Sequence, residues 1–326
     1  MPRHDATPRH PSPPVGAADR RFVLAHCSDP HISWRCPVSW RDLAGKRMLG
    51  YLGWRLRRGA EHREEVLDAL QRDLREASPD HIAVTGDLTH LGLPREFENA
   101  RRWLRRFGAP ERVTVVPGNH DAYVRDDWGR TFARWGEYMA SDDTGPSAGP
   151  PPLFPVMRRR GPILLIGLST AHPNPLHLAT GGIGAPQLTR LATALKGAAA
   201  RGLFRVILIH HPPVDGVVTR RKRLTDAPAF LEAISRYGAE LILHGHAHRT
   251  TWRILKTTAG VTAVAGAPSA SALGRSPDRR ARYAIYRIRR AGRGWNVDAV
   301  ERLYSPGGDA FLTENRRHLH MPEPLA

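Results

Sequence analysis

Five short apolar runs in this chain each end in a cluster of polar side chains able to hold a metal. Phe22–Ala25 leads to Ser28-Asp29-Pro30-His31, Ile82–Val84 to Gly86-Asp87, and Val113–Val116 to Gly118-Asn119-His120-Asp121. Phe204–Ile209 leads to His210-His211-Pro212, and Leu241–Leu243 to Gly245-His246-Ala247-His248. Apolar runs of this length, bounded by turn-forming residues, read as buried strands. Between them lie segments with apolar residues at helical spacing, such as Val66, Leu70 and Leu74, then Phe97, Ala100 and Leu104. Strand–helix–strand alternation predicts an α/β fold. In such a sheet the carboxyl ends of parallel strands share one edge, where ligands bind. That edge would gather all five clusters.

The donor chemistry narrows the function. One strand end with a histidine is ordinarily structural, but five in succession converge on one place. Oxygen and imidazole donors without thiolate suit Mn, Fe or Zn in a reactive site, not a closed structural zinc. The donors exceed what one tetrahedral ion takes. Two divalent ions about 3.5–4 Å apart, sharing one carboxylate, would use them. Asp87 follows the tight turn at Gly86 and is the candidate bridge.

The ordered series D-x-H, G-D, G-N-H-D, H-x-P and G-H-x-H runs from about Phe22 to His248 and resembles the calcineurin-like metallophosphoesterase superfamily. In style it is similar to the class III cyclic-nucleotide and glycerophosphodiester phosphodiesterases. The resemblance implies a four-layer α-β-β-α sandwich of two mixed sheets. It implies Asp29, His31 and His248 as ligands of one metal, Asn119, His210 and His246 as ligands of the other, and Asp87 between them. It implies hydrolysis of a phosphoester, a diester first, by a hydroxide shared between the ions. His120, beside a ligand, would protonate the leaving oxygen or stabilise the transition state. Asp121 is expected to orient its neighbours, and His90 and His244 to be structural. Cys27 reads as core. His211 and Arg221, the latter in the basic run Arg220–Arg223, are candidate substrate contacts.

Residues 1–20 read as a disordered basic tail, 21–304 as the catalytic domain and 305–326 as an irregular C-terminal tail. Late β-like runs at 252–255, 261–265, 283–288 and 295–300 would complete the second sheet. Residues 34–60 mix Trp, Leu and Arg in a basic amphipathic insertion directly after the first cluster. Such a segment suits an anionic membrane surface through residues 36–58, or else a lid or dimer contact. The first of these makes a lipid-linked pyrophosphate or phosphodiester the alternative substrate, as for UDP-diacylglucosamine hydrolases of the superfamily. The net charge of +18 over 326 residues favours anionic partners. No RNA-binding motif or helix-turn-helix accompanies it, so specific nucleic-acid binding is not expected and a nuclease is a lesser alternative. With two cysteines, no apolar leader and no span of about 18 apolar residues, a cytoplasmic protein is expected, with peripheral contact at the inner membrane face as its variant. Oligomerisation is left open.

Overall fold

A computed structural model describes residues 21–32, 38, 42–43, 45–54, 61–143, 154–274 and 276–322. The expected tail 1–20 and much of the expected insertion, including Trp34, Trp40 and Leu56, lie outside the described residues.

The three early apolar runs form parallel strands β1 (Phe22–Cys27), β2 (His81–Val84) and β3 (Val113–Val115). Beyond β1 the sheet continues antiparallel through β10 (Arg282–Ala291), β11 (Gly294–Ser305) and β12 (Ala310–Met321), in the order β12-β11-β10-β1-β2-β3. The second sheet contains β4 (Val156–Arg160), β5 (Ile163–Gly167), β6 (Phe204–Leu208), β7 (Leu241–His244), β8 (Thr251–Thr257) and β9 (Gly260–Gly266). Its order is β4-β5-β6-β7-β9-β8, with parallel pairing from β5 to β9 and antiparallel edges.

The sheets pack through one apolar layer, in which Leu24, Ala83, Tyr286 and Val297 share a buried cluster with Leu165, Val206, Leu208 and Leu243. The outer face of the first sheet is covered by α2 (Glu64–Ala77) and α3 (Pro94–Phe107), through Leu70, Leu74, Phe97 and Leu104. The second sheet is covered by α4 (Ala185–Ala199) and α5 (Ala227–Tyr237), through Leu191, Leu195, Phe230 and Ile234. The architecture is therefore the expected α-β-β-α sandwich of two mixed sheets. Each such side chain contributes roughly 1.5–3 kcal/mol by leaving water. Both sheets are buried on two faces at their centres, which is why their strands read as unbroken apolar runs.

Register sets the site. Cys27, Val84 and Val115 lie level across β1, β2 and β3, and Leu208 lies level with Leu243 across β6 and β7. The five polar clusters consequently emerge on one edge.

Of the late runs expected to complete the second sheet, 252–255 and 261–265 do so on β8 and β9, whereas 283–288 and 295–300 fall on β10 and β11 of the first sheet. Two further strands escape the sequence pattern. The tail from Ser305, expected to be irregular, contains β12, paired with β11 along its length. Its Thr-Glu-Asn-Arg-Arg-His run shows no apolar alternation because β12 is an edge strand and mostly exposed. The strand β4 turns Arg158 inward. The buried guanidinium donates to the carbonyls of Ala140 at 2.7 Å, Val113 at 2.8 Å and Glu137 at 2.7 Å, and also to Pro110. Four backbone acceptors take the place of water, so a charge sits where pattern reading expects an aliphatic side chain. No helix among the described residues is long and apolar enough to cross a membrane.

Candidate metal centre and catalytic cleft

The loops after β1, β2, β3, β6 and β7 converge at the sheet edge. Five of the eight non-glycine residues with positive φ among the described residues stand here: Asp29, His31, Asp87, His246 and His248. Side chains rarely adopt that backbone region unless their surroundings hold them there, and such residues cluster at working sites. Gly118 is required for a different reason: a Cβ there would overlap the Asp87 carboxylate.

Two donor sets meet. In the first, ligand atoms of Asp29, His31, Asp87 and His248 all lie within 4.8 Å of one another. Nε2 of His31 is 3.4 Å from Nε2 of His248, and Oδ1 of Asp29 is 3.2 Å from the same His248 nitrogen. In the second set, Asp87, His210 and His246 meet the same 4.8 Å limit. Asn119 joins it, with Oδ1 3.1 Å from Nε2 of His210. Asp87 belongs to both sets. Its Oδ2 is 3.9 Å from Nε2 of His31 and 3.3 Å from Nε2 of His210.

Backbone carbonyls decide which imidazole nitrogen is available. Nδ1–H of His31 donates to Thr89 O at 3.0 Å, and Nδ1–H of His210 to Thr85 O at 2.7 Å, leaving Nε2 in each case. Nε2–H of His246 donates to Lys222 O at 3.0 Å, leaving Nδ1. A second hydrogen bond that fixes tautomer and ring orientation is typical of metal-binding histidine. Burial, together with neighbouring His62, His90 and His120, holds His31 well below the ordinary histidine range. Burial does the same to His246. Both are neutral, with a lone pair to offer. Burial also opposes a charge on His210, yet the adjacent Asp87 outweighs it and lifts that pKa to about 9. Burial would raise Asp87 itself, but His210 and His120 hold it well below the usual carboxylate range.

Asp121 takes the orienting part expected of it. Its Oδ2 accepts the N–H groups of Asp87 and Gly118, each at 2.9 Å, and its Oδ1 accepts the Thr89 N–H at 2.9 Å and hydroxyl at 3.1 Å. One carboxylate thus ties the loops after β2 and β3 together. Burial and the Asp87 charge push it up to about 7, against these donors.

Sequence reading misses two supports. Glu96, at the start of α3, accepts the backbone N–H groups of His90 at 2.9 Å, Leu91 at 3.0 Å and Leu93 at 2.8 Å, the reach-back half of a capping box. A glutamate three residues after the helix boundary was the available signal. Buried His62 donates no such clue, lying outside every motif. Its ring centroid is 4.7 Å from that of His31, and its Nδ1 is 2.8 Å from Ser271 Oγ.

A cleft of about 510 Å³ opens above the donors. Asn119, His120 and Arg221 line it, together with Lys46, Trp54, Tyr123, Leu49, Leu176 and Leu178. The Nδ1–H of His120 donates to His90 O at 2.6 Å, so Nε2 is its remaining atom for chemistry. Arg221 is where substrate contact was expected, whereas His211 is not. His211 is fully buried, hydrogen-bonded to Thr170 Oγ1 at 2.6 Å and packed 4.4 Å from the His246 ring. It does not line the cleft, so the expected substrate contact is corrected to packing behind the sheet edge. His244 is likewise buried, as expected.

The residues fit two cations. Oδ1 of Asp29 is buried with no hydrogen-bond partner, and neutral imidazole lone pairs converge beside it. Bringing that oxygen and the lone pairs of neutral His31 and His246 together is costly until a cation enters.

Fold and site together define an α/β sandwich with a two-ion donor set at its strand ends. The sequence profile of the calcineurin-like phosphoesterases matches residues 22–250, and the chain belongs to that family. A probable cyclic nucleotide phosphodiesterase of Synechococcus is 29% identical over 182 residues, 54% of this chain and 61% of that protein. A cAMP/cGMP dual specificity phosphodiesterase of Mycobacterium tuberculosis is 29% identical over 236 residues, 71% of this chain and 63% of that protein. The chain thus spans 61% and 63% of the length of these two relatives. A dimetal phosphatase from Danio rerio shares the fold with a TM-score of 0.58 at 13% identity, covering 90% of this chain and 98% of that one.

Proposed function

We propose that this protein is a dinuclear-metal-dependent phosphodiesterase. The observation that carries the reading is Oδ2 of Asp87 facing His31 on one side at 3.9 Å and His210 on the other at 3.3 Å. One carboxylate oxygen between two donor sets is the geometry a pair of ions requires. Asp29, His31 and His248 would hold one ion, Asn119, His210 and His246 the other, and Asp87 both. The ions, when bound, acidify water near neutral pH and screen the negative phosphoryl oxygens.

The chain's own groups supply the rest. His120 borders the cleft next to Asn119, and its backbone N–H donates to Asp87 Oδ1 at 2.8 Å. Its ring is therefore fixed relative to the bridge. With Nδ1–H committed to His90, Nε2 carries the proton to the leaving oxygen, which departs as a neutral alcohol. Arg221 lines the same cleft and offers a planar donor pair for a phosphate oxygen. The names of the two relatives support a diester substrate, cyclic nucleotides included.

The test is a substrate panel with Mn-loaded protein: a chromogenic diester, a chromogenic monoester, cyclic AMP, a glycerophosphodiester and a lipid pyrophosphate. Diester hydrolysis that ends on chelation is expected. Preference for the monoester, or no turnover with Mn, Fe or Zn, would overturn the reading.

A further inference from the structure

Eight large apolar side chains are exposed among the described residues; three of them, Leu49, Leu176 and Leu178, line the catalytic cleft, and Met48 and Leu52 share a helix with Leu49. Met48, Leu49 and Leu52 stand on α1 (Lys46–Gly53), 41–54% exposed. Leu176 and Leu178 stand on a loop that follows β5, 47% and 38% exposed. Leu49 lines the cleft from α1, and Leu176 and Leu178 line it from that loop.

Each lip is built. On α1, Arg47 donates to Leu91 O at 3.1 Å and Gly92 O at 2.6 Å and pairs with Asp126 at 3.1 Å. Lys46 donates to Tyr123 O at 3.3 Å and Asn174 O at 3.0 Å. These contacts hold a helix that has no buried residue of its own, with Tyr51 and Trp54 packed inward and the aliphatic residues left outward. On the other lip, Ala179 N–H donates to Arg221 O at 2.9 Å and Gly181 N–H to Arg223 O at 3.1 Å. This short ladder sets Leu176 and Leu178 beside the exposed run Arg220-Arg221-Lys222-Arg223.

We propose that these two lips are a docking surface for an anionic lipid bilayer, and that the phosphoester is taken from that bilayer. The substrate clause rests on the function proposed above; the docking clause does not. Exposed aliphatic side chains on both lips, with the exposed cations Arg220–Arg223 on one of them, suit a headgroup–acyl boundary of negative charge. A small soluble ligand seated in the cleft would not cover Met48 and Leu52, which are exposed on α1 outside the cleft's lining. A protein covering both lips would block the substrate's path, whereas a bilayer covers the mouth and supplies the substrate through it.

The full chain is pelleted with vesicles of phosphatidylcholine, alone or with phosphatidylglycerol admixed, over a salt series. Binding to the anionic vesicles is expected, with a fraction persisting at salt that screens charge. Leu52→Ser and Leu178→Ser, one on each lip, leave the net charge unchanged. Each is expected to weaken binding, and the pair on the order of tenfold or more, with melting temperature and metal content as in the unsubstituted chain. Binding indifferent to both substitutions would mean adsorption of a basic protein by charge alone and would overturn the proposal. So would weakening by Leu52→Ser only, equal binding to both vesicle types, or no binding. Pelleting needs no turnover, so an inactive protein that docks, or an active one that does not, separates this inference from the proposed function.

Discussion

Oδ1 of Asp29 and Nε2 of His248 face each other at 3.2 Å, one from the loop after β1 and one from the loop after β7, and the buried carboxylate oxygen has no hydrogen-bond partner. The other Asp29 oxygen is fully engaged, accepting Ser28 Oγ at 2.6 Å and the His246 N–H at 3.0 Å. The backbone thus aims one oxygen at the centre and spends the other on holding the aim.

Asp29→Asn is expected to lower bound metal from about two ions per chain toward one, and Asp87→Asn to lose both. Elemental analysis of protein dialysed against Mn checks this. Adding Mn at about a hundred times its dissociation constant should stabilise the unsubstituted chain by about 2.7 kcal/mol, and Asp87→Asn hardly at all. An Asp87→Asn protein that still holds two ions would refute the bridge.

His120→Ala is expected to retain metal while losing on the order of 10²–10⁴ in turnover. The loss should be smaller for a diester with an acidic leaving group, which needs less protonation, than for an alkyl diester. Equal losses on both would remove the proton-donor role.

Asp121→Asn substitutes one acceptor oxygen for two, while four donors from Asp87, Gly118 and Thr89 still point at the side chain. At least one buried donor pair is left facing an amide N–H₂. A loss of roughly 2–4 kcal/mol in denaturant unfolding is expected, with weaker metal binding alongside. A change below about 0.5 kcal/mol would show that the loops are held by other means.

Glu314 on β12 forms a two-pronged pair with Arg282 on β10, at 2.6 and 2.7 Å. The Arg282 bond holds Glu314 below its ordinary value. Its folded pKa is depressed, so the pair's stabilisation is present above the unfolded value near 4.3 and is lost as pH falls through the folded one. Glu314 is one-third exposed, and solvent screening limits the effect to about 0.5–1 kcal/mol. Glu314→Gln should therefore be less stable than the parent at pH 7, with the two converging in acid. A gap that persists unchanged in acid would mean packing, not charge, is responsible.

How much of this was legible in the chain differs by element. The site was legible because its residues sit in a fixed relation to strand ends, and parallel register then has only one edge to place them on. The clusters that contain Asp29, His31, Asp87, Asn119, His210, His246 and His248 could be located that way, whereas the ligand within each, His210 rather than His211 among them, was implied by the family resemblance. β12 and β4 were not legible, since an edge strand needs no apolar alternation and a buried arginine is acceptable once four carbonyls receive it. His211 misled for a related reason: adjacency to His210 in sequence says nothing about which side of the ring packs inward.

By itself, then, the sequence determined the fold class, the strand ends and the donor types, because local apolar runs and turn residues carry that information within a few residues. Only the tertiary structure decided that Asp87 stands between two donor sets, that His62 and Glu96 brace them, and that leucines from two distant segments share the cleft's rim. Those relations depend on packing between layers and on side-chain direction after the chain has closed on itself, which no short stretch of residues encodes.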